Sequence, residues 1–420
     1  PFDILADDDE MSPDEEETFV ADLADIQKMK AKMDAGRGAP KAAKPPRVQP
    51  SQPRAVAGVA AGGKVTAGLY GNPSVPTIRD RNAPKPAAAA IRKLVAEHGA
   101  IPFETFMENA LYGEGGFFST GPVRSSATGD FLTSPEVSPW FGRTIGRYLA
   151  QSSPTAVVEV GAGSGSLLRT MLTEVPDADT WAVEASPTAR HALREVLPAE
   201  RIVETLDDVP AGFGGALIAN ELVDNLPVAI AVMTKDGWAE HFVGLDGDDL
   251  VFVIADVRPD VAAWAEKFAG NVPMGGVVEV QLRATRWLEQ ALKRMGSGEI
   301  ILIDYGGTVE ELEPRRNLGT LRTYRGHHLG PDPLLEPGET DITVDVNFTA
   351  LEATAKRAGA KAQLHRQDDF LAANGLRQVV SELRQQELEL ARAGETMQQL
   401  EVKSERIAAE TLLHPRGLGD

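Results

Sequence analysis

The sequence predicts an α/β protein with a mostly parallel β-sheet, and three observations lead to this fold class. First, the apolar run 156–160 is followed by three glycines and by helical spacing of apolar residues over 166–172, which indicates a strand, a turn and a helix. Second, another strand and helix follow over 180–197. Third, 42% of the 420 residues are hydrophobic, which is enough to bury a sizeable core.

Composition excludes several classes of protein and site. Because the chain contains no cysteine, it has no disulfide, zinc–thiolate site or cysteine nucleophile. Separately, we predict no metal site. The net charge of −20 and the pI near 4.9 argue against nucleic acid as a partner. No apolar run approaches the length of a membrane span.

Residues 1–85 are predicted to form a disordered tail that precedes a single domain, residues 86–420. The first 36 residues hold 12 acidic side chains against three lysines, and the next stretch, 37–90, holds nine basic side chains and is rich in proline and alanine. A mitochondrial presequence is rich in arginine and poor in acids from its start, which is the opposite pattern. We therefore expect a cytoplasmic location, as in a bacterial protein, rather than the mitochondrial matrix.

A helical cap is predicted at the start of the domain, with helices at 87–98 and 102–111. A loop of glycines and aromatic residues, 112–121, follows and leads to a helix at 137–149. Such a loop either closes over a flat group such as adenine or packs its aromatic side chains into the core. The sequence leaves both interpretations open.

The glycine turn after the first strand has the spacing G-x-G-x-G, with Gly161, Gly163 and Gly165. A dinucleotide-binding turn would place its third glycine where this chain has Ser166. Together with Glu159, two residues before the first glycine, the pattern resembles the cofactor loop of S-adenosylmethionine (SAM) methyltransferases. The alternative is a tight turn between strand and helix that binds no ligand.

Acidic side chains follow the predicted parallel strands. Glu184 ends the second strand, where its carboxylate either accepts both hydroxyls of a ribose or caps the next helix. Asp207 follows the third strand and either accepts from an adenine amino group or is solvated. Glu221 and Asp224 follow the fourth strand and face the cofactor crevice, because ligands bind at the carboxyl ends of strands in open α/β sheets. The five predicted parallel strands are 156–160, 180–184, 201–206, 215–219 and 299–306.

The hydrophobic period changes after residue 227, which predicts an antiparallel insertion over about 228–298. Residues 308–345 form a long irregular segment that carries His327, and this histidine either takes a proton in the reaction or is structural. The elements predicted beyond residue 227, apart from the fifth parallel strand, are strands at 229–233, 238–244, 250–255 and 360–365 and helices at 259–268, 282–295, 348–358 and 376–413, the last with a break at Gly394.

Several short motifs in this order resemble the MidA-like methyltransferases, a family that includes a mitochondrial complex I assembly factor. The resemblance covers roughly residues 90–420, and an ordered set of motifs is far more specific than one glycine loop. The motifs are Gly129-Asp130-Phe131, Ser134-Pro135-Glu136, the turn 159–165, Ala219-Asn220-Glu221 with Asp224 and Pro227, Ile303-Asp304-Tyr305-Gly306, and Gly326-His327 with Asp341-Ile342-Thr343.

The resemblance implies a class I SAM-dependent methyltransferase fold, which is Rossmann-like, with a helical N-terminal cap and an antiparallel β insertion. In this family a Gly-Asp pair precedes a last, antiparallel strand, and the chain ends at Gly419-Asp420. We therefore expect that strand to be missing. Alternatively, residues 1–5 take its place in the sheet. The cofactor-binding residues expected for SAM are Asp130, Glu136, Glu159, Gly161, Gly163, Gly165, Glu184, Asp207 and Asn220.

The implied activity is N-methylation of a protein arginine, by family on a respiratory complex I subunit. Glu221 and Asp224 are expected to grip the guanidinium, with Asn220 positioning it, because carboxylates match the guanidinium fork. Alternatively, Glu221 and Asp224 only cap the following helix. Two other functions are considered: a SAM-binding scaffold that transfers no methyl group, and an NAD-dependent oxidoreductase, which Ser166 disfavours. The expected partner is a protein substrate, and the oligomeric state is open, a homodimer included.

Overall fold

The computed structural model describes residues 85–120, 133–326 and 328–414. Four predictions lie outside these residues: the disordered tail, the role of Asp130, the role of His327, and the last strand with its substitute at residues 1–5. Within the described part of the chain, no helix is both long and apolar enough to cross a membrane.

The central sheet has five parallel strands in the order β10-β5-β2-β3-β4, which confirms the predicted parallel sheet. The middle strand, β2, is buried along its whole length because Val157 and Val158 pack on opposite faces of the sheet. The strands are β2 Ala156–Val160, β3 Asp179–Val183, β4 Ile202–Val203, β5 Phe213–Asn220 and β10 Met295–Ile303.

Two glycines allow close approach of the strands at the start of the central sheet. Gly215 of β5 has a φ of +130°, and a Cβ there would lie 2.1 Å from the carbonyl oxygen of Ala156. Gly298 of β10, which pairs with Gly215, has a φ of +119° and is equally crowded. A side chain at either position would separate the strands, so glycine is required here.

Helices cover both faces of the central sheet. One face packs against α4, α5 and the hairpin of α12 and α13, through side chains such as Phe141, Leu168 and Val379. The other face packs against α8, where Ala291 and Leu288 are buried. The helices in chain order are α1 Pro86–His98, α2 Phe103–Tyr112, α3 Ser134–Val137, α4 Pro139–Ala150, α5 Ser166–Met171, α6 Pro187–Leu193, α7 Pro259–Phe268, α8 Leu282–Arg294, α9 Val309–Leu312, α10 Phe348–Arg357, α11 Gln367–Ala373, α12 Leu376–Ala393 and α13 Thr396–Thr411.

A second, antiparallel sheet forms the predicted insertion and packs against the helical cap. Helices α1 and α2 lie on one face through Ile91 and Phe106, and α7 lies on the other through Trp264. The sequence did not predict strand β9, because its four residues, Val-Val-Glu-Val, do not alternate between apolar and polar. The strands are β1 Ile101–Pro102, β6 Ala229–Thr234, β7 Gly237–Asp246, β8 Asp249–Asp256 and β9 Val277–Val280.

The remaining strands are short and lie between β10 and α10. One correction concerns the C-terminal part: the strand predicted at 360–365 does not form, and Leu364 there is exposed. The helix predicted at 376–413 is divided at Gly394, as expected. The short strands are β11 Gly306–Gly307, β12 Arg322–Arg325, β13 His328–Leu329, β14 Asp341–Thr343 and β15 Val346–Asn347.

Candidate active site

The glycine turn leaves β2 in a left-handed backbone conformation that ordinary side chains avoid. Gly161, Gly163 and Gly165 have φ angles of +73°, +52° and +81°. A Cβ at Gly165 would lie 2.9 Å from Leu193 and Val196 of the neighbouring segment. Gly165 is therefore required for packing, and it does not line the adjoining cavity.

A cavity of about 220 Å³ lies beside this turn, at the carboxyl ends of β2, β3 and β5. This is where open α/β sheets bind ligands. The predicted site residues that line it are Glu136, Glu159, Gly161, Gly163, Glu184, Asn220 and Glu221.

Glu184 connects the cavity to the glycine turn. Its Oε2 accepts a hydrogen bond from the amide of Gly163 at 2.8 Å, and its Oε1 accepts from the amide of Ser186 at 2.7 Å. Burial raises the pKa of this carboxyl, whereas the two amides oppose the shift. Each oxygen keeps a further lone pair, so the carboxylate can still accept from two ribose hydroxyls.

Glu136 holds the other side of the turn. Its Oε1 accepts hydrogen bonds from the hydroxyls of Ser164 at 3.3 Å and Ser166 at 3.2 Å. Ser166, which disfavoured a dinucleotide turn, therefore ties helix α3 to the glycine loop. Short helix α3 places Glu136 and Pro135 against the cavity.

Glu159 and Asn220 each present a shielded oxygen to the cavity. Glu159 is 3% exposed, and burial, followed by the charge of Glu184, raises the pKa of its carboxyl. Among the described residues, neither Glu159 Oε2 nor Asn220 Oδ1 has a hydrogen-bond partner. Shielded polar atoms of this kind are normally satisfied, so a ligand is expected to donate to them.

Four carboxyl groups gather where β5 and β10 end: Glu221, Asp224, Asp304 and Asp341. Asp304 accepts hydrogen bonds from the amides of Val223 at 2.8 Å and Asp224 at 3.2 Å, which fixes the turn after β5. Glu221 lies in that turn with a φ of +50°, an uncommon conformation for a residue with a side chain. Glu221 lines the cavity, whereas Asp224, Asp304 and Asp341 lie beyond it.

Burial raises the pKa of three of these carboxyl groups, and neighbouring negative charges add to the shift for Glu221 and Asp224. Burial, followed by the charge of Asp304, raises the pKa of Glu221 to about 8, and burial raises that of Asp304 to about 7. The pKa of Asp224 is also raised, first by burial and then by Asp304. In the described part of the chain, Glu221, Asp224 and Asp304 form no ion pair with lysine or arginine, and Asp224 Oδ1 has no hydrogen-bond partner.

Asp207 does not reach the cavity, which corrects its predicted contact with adenine. Strand β4 ends at Val203, and a 3₁₀ turn over Leu206–Asp208 directs Asp207 outward, where its side chain is 91% exposed. The acid that lines the cavity near this strand is Glu204. Glu204 was not predicted as a site residue, because it lies two residues before the predicted end of the strand and only acids after the strand were considered.

A family model described as "Putative S-adenosyl-L-methionine-dependent methyltransferase" matches residues 140–365, more than half of the chain. The chain belongs to this family. The predicted family and the predicted SAM-dependent methyltransferase are thereby confirmed, and the oxidoreductase alternative is not supported.

Relatives and solved structures agree with this assignment. The Drosophila melanogaster "Protein arginine methyltransferase NDUFAF7 homolog, mitochondrial" is 27% identical over 319 residues, 65% of this chain and 70% of its own. The Homo sapiens "Protein arginine methyltransferase NDUFAF7, mitochondrial" is 30% identical over 293 residues, 59% of this chain and 64% of its own. A "likely methyl transferase" from Burkholderia thailandensis bound to S-adenosyl-homocysteine is 28% identical and has a TM-score of 0.69, covering 80% of this chain and 89% of its own.

These comparisons confirm the class I fold and SAM as the cofactor, and they correct one expectation. The curated relatives are mitochondrial proteins, so the preference for a cytoplasmic location is wrong.

The cavity of this methyltransferase fits the chemistry of SAM. The cofactor offers two ribose hydroxyls and two positive charges, on its ammonium and sulfonium groups. Glu184 provides acceptors for the hydroxyls, and the shielded oxygens of Glu159 and Asn220 suit a cationic donor. These acceptor groups of the cavity are thus complementary to SAM in both charge and hydrogen bonding.

The aromatic loop contributes to the methyltransferase site and to the core. Phe117 is completely buried in the core of the insertion, whereas Tyr112 and Phe118 stack at 5.6 Å and line the cavity. The packing interpretation holds for Phe117, and closure of Tyr112 and Phe118 over a flat group stays a prediction. The Tyr112 hydroxyl also donates to the carbonyl of Asn225, 113 residues away, a contact that no local pattern predicts.

Replacing Glu184 with glutamine is expected to weaken S-adenosyl-homocysteine binding on the order of 10- to 100-fold, because charged acceptors contribute roughly 1.5–3 kcal/mol. Isothermal titration calorimetry measures this change. Glu195→Gln is the matched control, since this carboxylate is 80% exposed and does not line the cavity. Equal affinities of wild type and Glu184→Gln would rule out the ribose contact.

Proposed function

We propose that this methyltransferase transfers the methyl group of SAM to an arginine side chain of a protein acceptor. The observation that carries the proposal is the acidic cluster of Glu221, Asp224, Asp304 and Asp341 beside the cofactor cavity. Three of these carboxyl groups lack a described cationic partner, so the cluster is suited to a guest that brings its own positive charge. Guanidinium is such a guest, and its planar fork pairs with carboxylates in two places at once.

The relatives support arginine rather than another cation. The curated proteins from fly and human are named protein arginine methyltransferases. A subunit of respiratory complex I as the acceptor stays a prediction from the family resemblance. The homodimer also stays a prediction, and light scattering would test it.

The site needs to align the acceptor with the methyl group, but it needs no acid or base for the leaving group, S-adenosyl-homocysteine. When bound, SAM supplies a methyl group on a sulfonium, which is transferred by in-line displacement. Glu221 is the carboxylate shared by the cavity and the cluster, so it would hold the acceptor nitrogen at the cavity wall. Asp224, behind Glu221, would bind the remaining guanidinium nitrogens and hold positive charge away from the nucleophile.

Methylation requires the acceptor nitrogen to lose a proton. Glu221 would accept this proton on its carboxylate, because burial and the charge of Asp304 raise its pKa to about 8 and make it a stronger base than an exposed glutamate. Asn220 donates to Glu221 Oε1 at 3.4 Å and would orient it. The role of Asn220 is therefore to position the Glu221 carboxylate.

Labelled SAM tests the acceptor class. The purified protein is incubated with labelled SAM and an extract of cells that lack it, and labelled proteins are hydrolysed to amino acids. We expect labelled methylarginine. Label in methyllysine or in no amino acid, with S-adenosyl-homocysteine binding intact, would overturn the proposal.

The acidic cluster predicts a pH-dependent stability. Because burial raises the folded pKa of Glu221 from 4.5 to about 8, the folded chain binds more protons than the unfolded chain between these values. The free energy of unfolding without ligand is therefore expected to fall from about pH 5 to pH 8, and to fall less in Glu221→Gln. Urea unfolding at several pH values measures the difference, with exposed Glu266→Gln as control. Identical slopes in the three proteins would contradict the expected titration.

A further inference from the structure

We propose that Tyr305 forms one wall of the acceptor site and that the guanidinium of the acceptor arginine lies flat against its ring. Tyr305 would then select a planar cation over an ammonium. This inference rests on the proposed function, since it assumes that the acidic cluster binds the acceptor.

Tyr305 is held rigidly at the end of β10. Its amide donates to Asp304 Oδ1 at 2.9 Å, and its carbonyl accepts from the amide of Val346 at 2.8 Å. The next residue, Gly306, has no room for a side chain, because a Cβ would lie 2.1 Å from the carbonyl oxygen of Val346. The backbone on both sides of Tyr305 is therefore fixed, which is how binding side chains are preorganised.

Tyr305 directly follows Asp304 of the acidic cluster in the chain, and its side chain lies outside the cofactor cavity. It is 38% exposed and does not line that cavity. Burial, then the negative charges of Glu221, Asp224 and Asp304, raise the pKa of its hydroxyl. Glu221 lines the cofactor cavity, and its amide donates to the carbonyl of Ile303, two residues before Tyr305, at 2.8 Å. An acceptor that enters past Tyr305 would therefore reach Glu221 close to the cofactor.

The Tyr305 hydroxyl is available to a ligand. No hydrogen bond joins it to any residue that the structure describes, and the residue is partly exposed to solvent. A single exposed tyrosine is common on protein surfaces. Tyr305 differs because a fixed backbone, an unbonded hydroxyl and adjacent carboxylates occur together.

The chemistry of the ring explains a preference for arginine. The face of an aromatic ring carries partial negative charge and attracts cations, and a guanidinium can stack on it with its plane parallel to the ring. The carboxylates of Glu221 and Asp224 would then contact the guanidinium edge. An ammonium would use the carboxylates but gain less from the flat wall.

The test uses the full chain saturated with S-adenosyl-homocysteine and two probes: a peptide with one arginine between glycines, and its lysine counterpart. Binding is measured by NMR titration. We expect Tyr305→Leu to weaken the arginine peptide about 10-fold and to leave the lysine peptide within about 2-fold, in line with the usual strength of cation–aromatic contacts. Tyr305→Phe retains the ring, so its affinity for the arginine peptide should stay within about 3-fold of wild type.

Affinity for S-adenosyl-homocysteine, measured by calorimetry, should be equal in wild type and both Tyr305 variants, which shows that they are folded. If Tyr305→Leu binds the arginine peptide like wild type while Glu221→Gln does not, the Tyr305 wall is disproved and the acidic acceptor site stands. If the wild-type protein binds S-adenosyl-homocysteine but prefers the lysine peptide, the proposed function fails and the Tyr305 inference with it.

Discussion

Replacing Glu221 with glutamine is expected to lower kcat for methyl transfer to arginine about 100- to 1,000-fold, the usual cost of removing one group that stabilises charge in the transition state. Glutamine keeps the shape of the side chain but cannot hold the charge of the guanidinium or accept its proton. We expect the backbone at residue 221 to keep its left-handed conformation, with a φ of +50°, because glutamine is as large as glutamate. Transfer of labelled methyl at saturating SAM measures kcat.

The control for this substitution is the affinity for S-adenosyl-homocysteine. Glu221 lines the cavity, but the ribose and loop contacts belong to Glu184 and Glu136, so the affinity should change less than about 3-fold if one uncharged hydrogen bond is the only difference. Asp224→Asn is expected to lower kcat as well. Because both carboxylates would bind one guanidinium, the double variant should lose less than the product of the two single losses. A Glu221→Gln enzyme with wild-type kcat would exclude Glu221 from the reaction.

The parallel sheet could be predicted from sequence because each strand carries its own signal. Residues 156–160 form β2 as predicted, since a β-branched run followed by a glycine turn has few other solutions. The third strand is shorter than predicted, at Ile202–Val203, because the capping box at Thr205 starts a new turn. Because the predicted strand was too long, the adenine contact was assigned to Asp207, which is exposed, and not to a residue that lines the cavity.

The acidic cluster could be predicted only in part. Glu221 and Asp224 were found because they follow a strand whose carboxyl end faces the crevice. Asp304 joins them because β10 pairs with β5, and Asp341 joins through a hydrogen bond with Asn225 at 2.9 Å. These contacts link residues about 80 to 120 positions apart, and they depend on the order of strands in the sheet. Tyr305 gained a proposed role for the same reason, since its neighbours in space are remote in sequence.

Gly215→Ala is expected to lower the free energy of unfolding by about 3 kcal/mol or more, because it combines backbone strain with overpacking. Gly215 has a φ of +130°, and its new Cβ would lie 2.1 Å from the carbonyl oxygen of Ala156. That obstacle is backbone, so the only relief is to separate β5 from β2. Gly212→Ala is the matched control: its φ is +77°, but nothing lies within 4 Å of the new Cβ. Its cost should be about 1 kcal/mol.

The same substitution connects the stability of the sheet to methyl transfer. Strand β2 ends at the glycine turn of the cofactor site, and β5 ends at Asn220 and Glu221. Separating these strands would displace the acceptor carboxylate from the cofactor cavity, so folded Gly215→Ala should also lose affinity for S-adenosyl-homocysteine and methyl transfer. Urea unfolding and calorimetry measure both effects. If Gly215→Ala and Gly212→Ala unfold at the same urea concentration, close approach of β2 and β5 does not hold the two halves of the site together.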